Sequence, residues 1–135
     1  GGIAFIKDCL KAGPESMEAA LKVLGKKPGR RVAVLGDMLE LGACTAAEHY
    51  RVGRLAAAKS DLVFAFGPNA ERVVNGCITG GMEKFHVQGF TEMDKIIAAL
   101  KRMLLPGDVV LVKGSHGMHM EQIIDAFLAD EKEGK

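Results

Sequence analysis

Four short segments of the sequence combine glycines with polar side chains, and each directly follows an apolar run that has the pattern of a β-strand. In open α/β sheets, ligands bind outside the carboxyl ends of the strands, where loops converge and helix N-termini point at the ligand. We therefore expect these segments to share one binding edge. Their candidate residues are Asp8 and Lys11, then Gly36, Asp37 and Glu40, then Gly67, Pro68 and Asn69, and finally Lys113, Gly114, Ser115 and His116.

Several of these side chains have a definite binding chemistry. The carboxylate of Asp8 can accept hydrogen bonds from both hydroxyls of a ribose, or it can cap a turn. Lys113 can hold a carboxylate or phosphate as a point charge, and Ser115 can donate a hydrogen bond to the same anion. The carboxylate of Asp37 can bind an amine, or it can cap a neighbouring loop.

The histidines and cysteines do not have the spacing of a metal site. His116 and His119 lie three residues apart, but a zinc site needs a third protein ligand and none lies nearby in the sequence. His49 is expected to be a surface or half-buried side chain. The three cysteines lack CxxC spacing, which favours free thiols. We therefore predict no bound metal.

The elements that position these residues alternate between apolar runs and helical stretches, which is typical of βαβ units. Right-handed crossovers then require helices on both faces of a parallel sheet. We predict a Rossmann-like three-layer α/β/α domain with a mostly parallel sheet of about five to six strands. Predicted strands are 3–6, with an end at Lys7 and Asp8, and then 31–35, 61–66, 84–87 and 109–112. Predicted helices run from a Ser16 cap to Gly25, over 45–59 with a Thr45–Glu48 capping box, over 70–75, from a Thr91 cap through Met103, and from about Met118.

Length and composition narrow the class of protein. A chain of 135 residues makes one domain, and 48% hydrophobic with 26% charged residues argues against disorder. The net charge of +1 has no basic cluster, so we expect no nucleic-acid partner. No apolar run approaches the length of a membrane span, and residues 1–5 lack the pattern of a signal peptide. We therefore expect a cytoplasmic protein without membrane contact.

Two nucleotide-binding motifs are absent from the sequence. There is no GxxxxGK[ST] phosphate loop, and no GxGxxG follows a predicted strand. A complete ATP- or NAD-dependent enzyme is therefore hard to build from this chain alone.

Four segments together resemble the C-terminal domain of the Mur ligases. They are residues 8–21, 34–42, 49–53 and 112–121, and the resemblance extends over about residues 3–127. The Gly-Asp-Met-Leu-Glu-Leu-Gly motif at 36–42 and the Lys-Gly-Ser-x-Gly-Met-x-Met-Glu motif at 113–121 are most similar to the branch of the family that adds D-alanyl-D-alanine.

This resemblance implies a three-domain cytosolic ligase of peptidoglycan synthesis. The family's N-terminal domain holds a UDP-N-acetylmuramoyl-peptide, and its central domain makes most of the contacts to ATP and Mg²⁺. The peptide carboxylate becomes an acyl phosphate, which the amine of D-alanyl-D-alanine attacks. Residues 1–135 would be the third domain alone, inactive without the other two and contributing no catalytic residue.

The resemblance also implies roles for single residues. It assigns Asp8 to the nucleotide, where we expect the charge of Lys11 to substitute for a hydrogen-bonding amide of the family. It assigns the substrates to Asp37 and to residues 113–116, namely Lys113, Gly114, Ser115 and His116. The sequence departs from the family at 8–14, where the family has Asp-x-Tyr-Asn-Ala-Asn-Pro, and at His116, where Arg is common. Two alternatives stay open: a stand-alone nucleotide- or anion-binding α/β module, and a degenerate Mur-like domain without a ligase role.

Overall fold

Five parallel strands form one sheet in the computed structural model, which describes residues 2–10 and 12–132. The strand order across the sheet is β1-β5-β2-β3-β4. The strands are β1 (Ala4–Asp8), β2 (Arg31–Gly36), β3 (Leu62–Phe66), β4 (Val87–Phe90) and β5 (Val109–Lys113). The helices are α1 (Pro14–Gly25), α2 (Thr45–Lys59), α3 (Ala70–Thr79), α4 (Met93–Met103) and α5 (Glu121–Lys132). Short 3₁₀ turns cover Gly42–Cys44, Lys84–His86 and His116–Met118.

Both faces of the sheet are covered by helices, as the three-layer prediction requires. Successive strand residues point to opposite faces, so Ala33 and Leu35 of β2 pack in one core while Val32 and Val34 pack in the other. Helices α1, α2 and α3 cover the first face, and α4 and α5 cover the second. The continuous apolar run of β2 therefore follows from burial on both sides.

Helices α2 and α3 cross closely enough to bring their backbones into contact. A Cβ added to Gly76 would lie 2.1 Å from the carbonyl oxygen of Tyr50, and one added to Gly53 would lie 2.2 Å from that of Val73. Only glycine fits at these two crossing points. These two glycines therefore serve helix packing.

The strand order determines where a ligand can enter. The chain passes from β1 to β2 over the first face and leaves room for β5 between them. After β5 it continues into α5 on the opposite face. Loops that leave neighbouring strands toward opposite faces open a crevice between them, so crevices flank the carboxyl end of β5 on both sides.

The predicted fold class is confirmed, but several element boundaries were wrong. The first strand begins at Ala4 and not at Ile3, and it ends at Asp8, where β5 still pairs with it through Lys113. Residues 84–86 form a 3₁₀ turn, and the fourth strand begins at Val87. The last helix begins at Glu121, after a left-handed residue at His119 interrupts the chain.

The predicted side-chain caps were also wrong. Helix α1 begins at Pro14 after Gly13, with no side-chain cap, because the fixed φ of proline suits the first helical turn. Thr45 donates its hydroxyl to the Gly42 carbonyl oxygen at 2.7 Å instead of capping α2. Among the described residues, no helix is long and apolar enough to cross a membrane.

Candidate functional site

The loops after β1, β2 and β5 meet at Ser115. Its Oγ accepts a hydrogen bond from the backbone N–H of Leu39 at 3.3 Å and donates one to the carbonyl oxygen of Ala12 at 3.4 Å. Leu39 lies in the β2–α2 loop and Ala12 in the β1–α1 loop. The structure thus brings three of the four predicted segments together at one edge.

The two charged residues at the ends of β1 and β5 form an ion pair. The Nζ of Lys113 lies 2.7 Å from Oδ2 of Asp8, across strands in register. The Lys113 side chain is 0% exposed, whereas that of Asp8 is 42% exposed. A ligand at this edge would therefore meet the Asp8 carboxylate before the lysine. Lys11, predicted beside Asp8, lies outside the described residues.

A cleft of about 460 Å³ opens beside Asp8, between the ends of β1 and β5. It lies at one of the two crevices that the strand order produces. Its walls combine charged, polar and apolar groups, with His116 opposite the first loop. The lining residues are Lys7, Asp8, Cys9, Leu10, His116 and Glu121.

On the other side of β5, Asp37 is nearly buried and is held by the β3–α3 loop. Its Oδ1 accepts the backbone N–H of Asn69 at 3.1 Å, and its Oδ2 accepts the Asn69 side-chain amide at 2.6 Å. Of the two readings that the sequence left open for Asp37, these contacts correspond to the capping of a neighbouring loop. They also join the fourth predicted segment to the other three.

His49 contributes to this edge in a way that sequence reasoning missed. The expectation of a surface or half-buried side chain was wrong, because His49 is 1% exposed. Its Nε2 accepts the backbone N–H of Met38 at 2.9 Å, and its Nδ1 lies 2.7 Å from the Thr45 carbonyl oxygen. The available signal was helical spacing, since His49 precedes the buried Val52 by three residues and Ala56 by seven.

Met118 and Met120, in the segment after β5, pack against glycines at the ends of the neighbouring strands. A Cβ on Gly114 would lie 2.5 Å from Cγ of Met120, and one on Gly36 would lie 2.8 Å from its Sδ. Gly67 leaves similar room for Cε of Met118, at 2.8 Å. The strand-end glycines therefore accept methionine side chains, and this packing fixes the path of the segment that carries Ser115 and His116.

The edge offers neither an activated thiol nor a metal cluster within the described residues. Burial raises the pKa of Cys9, and its Sγ lies 3.6 Å from the Val112 carbonyl oxygen, so the thiol stays protonated near neutral pH. In residues 2–10 and 12–132, no group of three His, Cys, Asp or Glu side chains could hold a metal ion. We assign no metal-ligating role to these residues.

The geometry defines a class: a three-layer, all-parallel α/β domain whose polar groups gather at the carboxyl ends of β1, β5 and β2, in a chain without a phosphate loop. The family described as "Mur ligase, glutamate ligase domain" matches residues 1–116. The chain belongs to this family.

Individual relatives agree with that assignment. The UDP-N-acetylmuramoyl-tripeptide–D-alanyl-D-alanine ligase of Treponema pallidum is 38% identical over 123 residues, which cover 90% of this chain and 27% of the relative. The ligase of the same name from Bacillus subtilis is 34% identical over 91% of this chain and 27% of its own length. The chain thus spans about a quarter of the length of these curated relatives.

Solved structures of similar proteins have the same fold. The MurF ligase from Thermotoga maritima in complex with ADP superimposes with a TM-score of 0.81 and 26% identity, over 99% of this chain and 30% of that one. The UDP-N-acetylmuramoylalanyl-D-glutamyl-2,6-diaminopimelate–D-alanyl-D-alanyl ligase from Acinetobacter baumannii has a TM-score of 0.79 and 30% identity, over 93% and 26% of the two chains.

Proposed function

We propose that this chain is the C-terminal domain of an ATP-dependent ligase that adds D-alanyl-D-alanine to UDP-N-acetylmuramoyl-tripeptide in peptidoglycan synthesis. The observation that carries the proposal is the alignment of 90% or more of the chain with relatives named for this reaction. The chain covers about a quarter of each relative, which supports the view that residues 1–135 are the third domain of three. The proposal includes a cytoplasmic location, where the ATP that the reaction consumes is available.

In this proposal the cleft beside Asp8 receives the nucleotide. Because Lys113 binds Oδ2 of Asp8, the half-exposed carboxylate keeps Oδ1 for the hydroxyls of a ribose. Lys113, which the resemblance assigns to the substrates, would in this proposal act on the nucleotide through Asp8. The central domain of the full ligase would hold the phosphates and Mg²⁺, since the sequence contains no phosphate loop.

The substrate side of the edge lies between β5 and β2. His116 lines the cleft beside Asp8, and on its exposed 3₁₀ turn it would reach a substrate from the nucleotide side, while Ser115 and the buried Gly114 position that turn. Asp37 contributes by holding the opposite loop through Asn69. The amine of D-alanyl-D-alanine would attack the acyl phosphate at this side, and closure of the domain would keep water from hydrolysing that intermediate.

The test compares the full-length gene product with residues 1–135 alone. We expect the full-length protein to form the UDP-linked pentapeptide only with ATP and D-alanyl-D-alanine, and the isolated domain to form none. In the full-length protein, Asp8→Ala and Lys113→Ala should reduce ligation. ATP hydrolysis that does not depend on D-alanyl-D-alanine would contradict the proposal.

The same preparations separate the two alternatives. Calorimetric titration of residues 1–135 with ATP and ADP should show weak or no binding if the domain only completes a larger site. Tight binding would instead favour a stand-alone nucleotide-binding module. A full-length protein that binds both substrates without ligating them would favour a degenerate domain.

A further inference from the structure

The β2–α2 loop is anchored at three successive residues, each to a different part of the fold. Asp37 binds Asn69 of the β3–α3 loop through its carboxylate. Met38 donates its backbone N–H to His49 of α2, and Leu39 donates its own to Ser115 after β5. Of the three anchors, the one at Met38 uses a buried imidazole that the proposed reaction does not otherwise employ.

The hydrogen bonds of His49 determine its protonation state. A backbone N–H can only donate, so the Nε2 that faces Met38 at 2.9 Å must be the acceptor. The proton of the neutral ring is then on Nδ1, which donates to the Thr45 carbonyl oxygen at 2.7 Å. Nε2 also lies 4.0 Å from Oδ1 of Asp37, but without a proton it makes no ion pair there.

This arrangement makes the ring a rigid spacer between α2 and the loop. One nitrogen is fixed to the first turn of the helix and the other to the loop backbone, in a nearly dry environment. Loss of the acceptor would leave the Met38 N–H without that partner, and a buried unsatisfied donor costs more than the bond itself contributes. The loop would then move to recover a partner for this group.

We propose that His49, as a neutral imidazole, is the positioning residue that sets the 37–39 backbone and thereby the substrate side of the edge. The inference rests on the proposed function for its kinetic consequence. The proposal predicts different effects on the two substrates, because the 37–39 loop lies on the β2 side of β5 whereas Asp8 lies on the β1 side. His49 therefore acts on D-alanyl-D-alanine and not on ATP.

The test uses two substitutions in the full-length ligase that each keep one half of the ring's chemistry. In H49Q the side-chain carbonyl can reach the position of Nε2 and accept the Met38 N–H. In H49N the shorter amide reaches only the position of Nδ1. Both bury an amide in the same place, so their thermal midpoints should fall similarly. R54Q, on the exposed side of α2, controls for substitution in this helix.

We expect H49N to raise the KM for D-alanyl-D-alanine about tenfold while the KM for ATP changes less than about twofold, as the loss of one buried hydrogen bond requires. H49Q should return the KM for D-alanyl-D-alanine to within about threefold of the wild type. Equal KM values in the two variants, or an equal rise for both substrates, would overturn the proposal.

A second readout does not depend on activity. Hydrogen exchange at the Met38 amide should be slow in the wild type and in H49Q, and fast in H49N. Protection that is the same in both variants would refute the anchoring role. If the wild-type protein ligates no D-alanyl-D-alanine, the proposed function fails, and the exchange measurement alone decides whether His49 sets the loop.

Discussion

At the amino end of the sheet, acidic side chains meet arginines, whereas at the carboxyl end Asp37 is held by amide groups. Arg30 forms two hydrogen bonds with Asp108 at 2.9 and 2.7 Å, and Arg31 binds Asp61. Asp37, in contrast, is held by neutral donors of Asn69. The arginine–aspartate pairs neutralise each other's charges and connect the starts of neighbouring strands. The hydrogen bonds of Asn69 to Asp37 instead hold one loop against another.

Stability and function should be separable between the amino and carboxyl ends of the sheet. Ion pairs at the amino end connect residues far apart in sequence and lie away from the cleft, so their loss should destabilise the domain without altering the site. The hydrogen bonds of Asp37 and Ser115 at the carboxyl end position a few loop residues over an apolar core that stays intact. Their loss should change ligation more than stability.

The largest effect should follow from Arg30→Met. It would leave the buried Asp108 carboxylate without its bidentate partner, and removing one member of a buried pair costs about 3 kcal/mol. We expect this loss in the free energy of unfolding in urea, with unchanged KM values for the folded enzyme. Exposed Arg102→Met serves as the control. A rise in the KM for ATP or for D-alanyl-D-alanine would contradict the prediction that this ion pair affects stability and not the site.

The Asp8–Lys113 pair should respond asymmetrically. Asp8→Ala removes a carboxylate from a fully buried lysine, whereas Lys113→Met leaves a half-exposed carboxylate that water can reach, so Asp8→Ala should destabilise the domain more. Urea denaturation of both variants measures this order. The reverse order would show that Asp8 and not Lys113 depends on the pair. Both variants should raise the KM for ATP.

A smaller effect is expected for Asn69→Ala. It removes the amide that binds Oδ2 of Asp37, a hydrogen bond to a charged group worth about 1.5 kcal/mol. The KM for D-alanyl-D-alanine should rise severalfold, and the KM for ATP should not. Asn75→Ala, on the exposed side of α3, should change neither stability nor KM. Equal KM values for Asn69→Ala and Asn75→Ala would contradict a role of Asn69 in the site.

The smallest effect concerns acid stability at the amino end. The backbone N–H of Arg31 lowers the pKa of Asp61 below its usual value. A depressed pKa in the folded state adds stability above the unfolded pKa of about 4, and this contribution is lost as the pH falls through the folded pKa. Because Asp61 is 44% exposed, Asp61→Asn should cost less than about 1 kcal/mol at pH 7. The difference in the free energy of unfolding between the wild type and Asp61→Asn should be smaller at pH 3 than at pH 7. An equal difference at both pH values would exclude titration of Asp61 as its cause.

The candidate site was only partly predictable from the sequence. Parallel strands must end at one edge, so the residues after them could be named in advance, and Ser115 does join Leu39 and Ala12 there. The ligands assigned to Asp8, Asp37 and residues 113–116 stay predictions. The role of His49 was missed because a single histidine on a helix gives no indication of the loop that packs against it.

What the sequence determined by itself was the class of fold and the identity of the strand-end segments. Both follow from local patterns, since hydrophobic periodicity and glycine positions act over a few residues. The tertiary structure alone decided that Lys113 pairs with Asp8, that Asn69 holds Asp37, and that Gly53 and Gly76 let α2 approach α3. The physical reason is that buried parallel strands have nearly the same apolar pattern, so the sequence does not specify that β5 lies between β1 and β2.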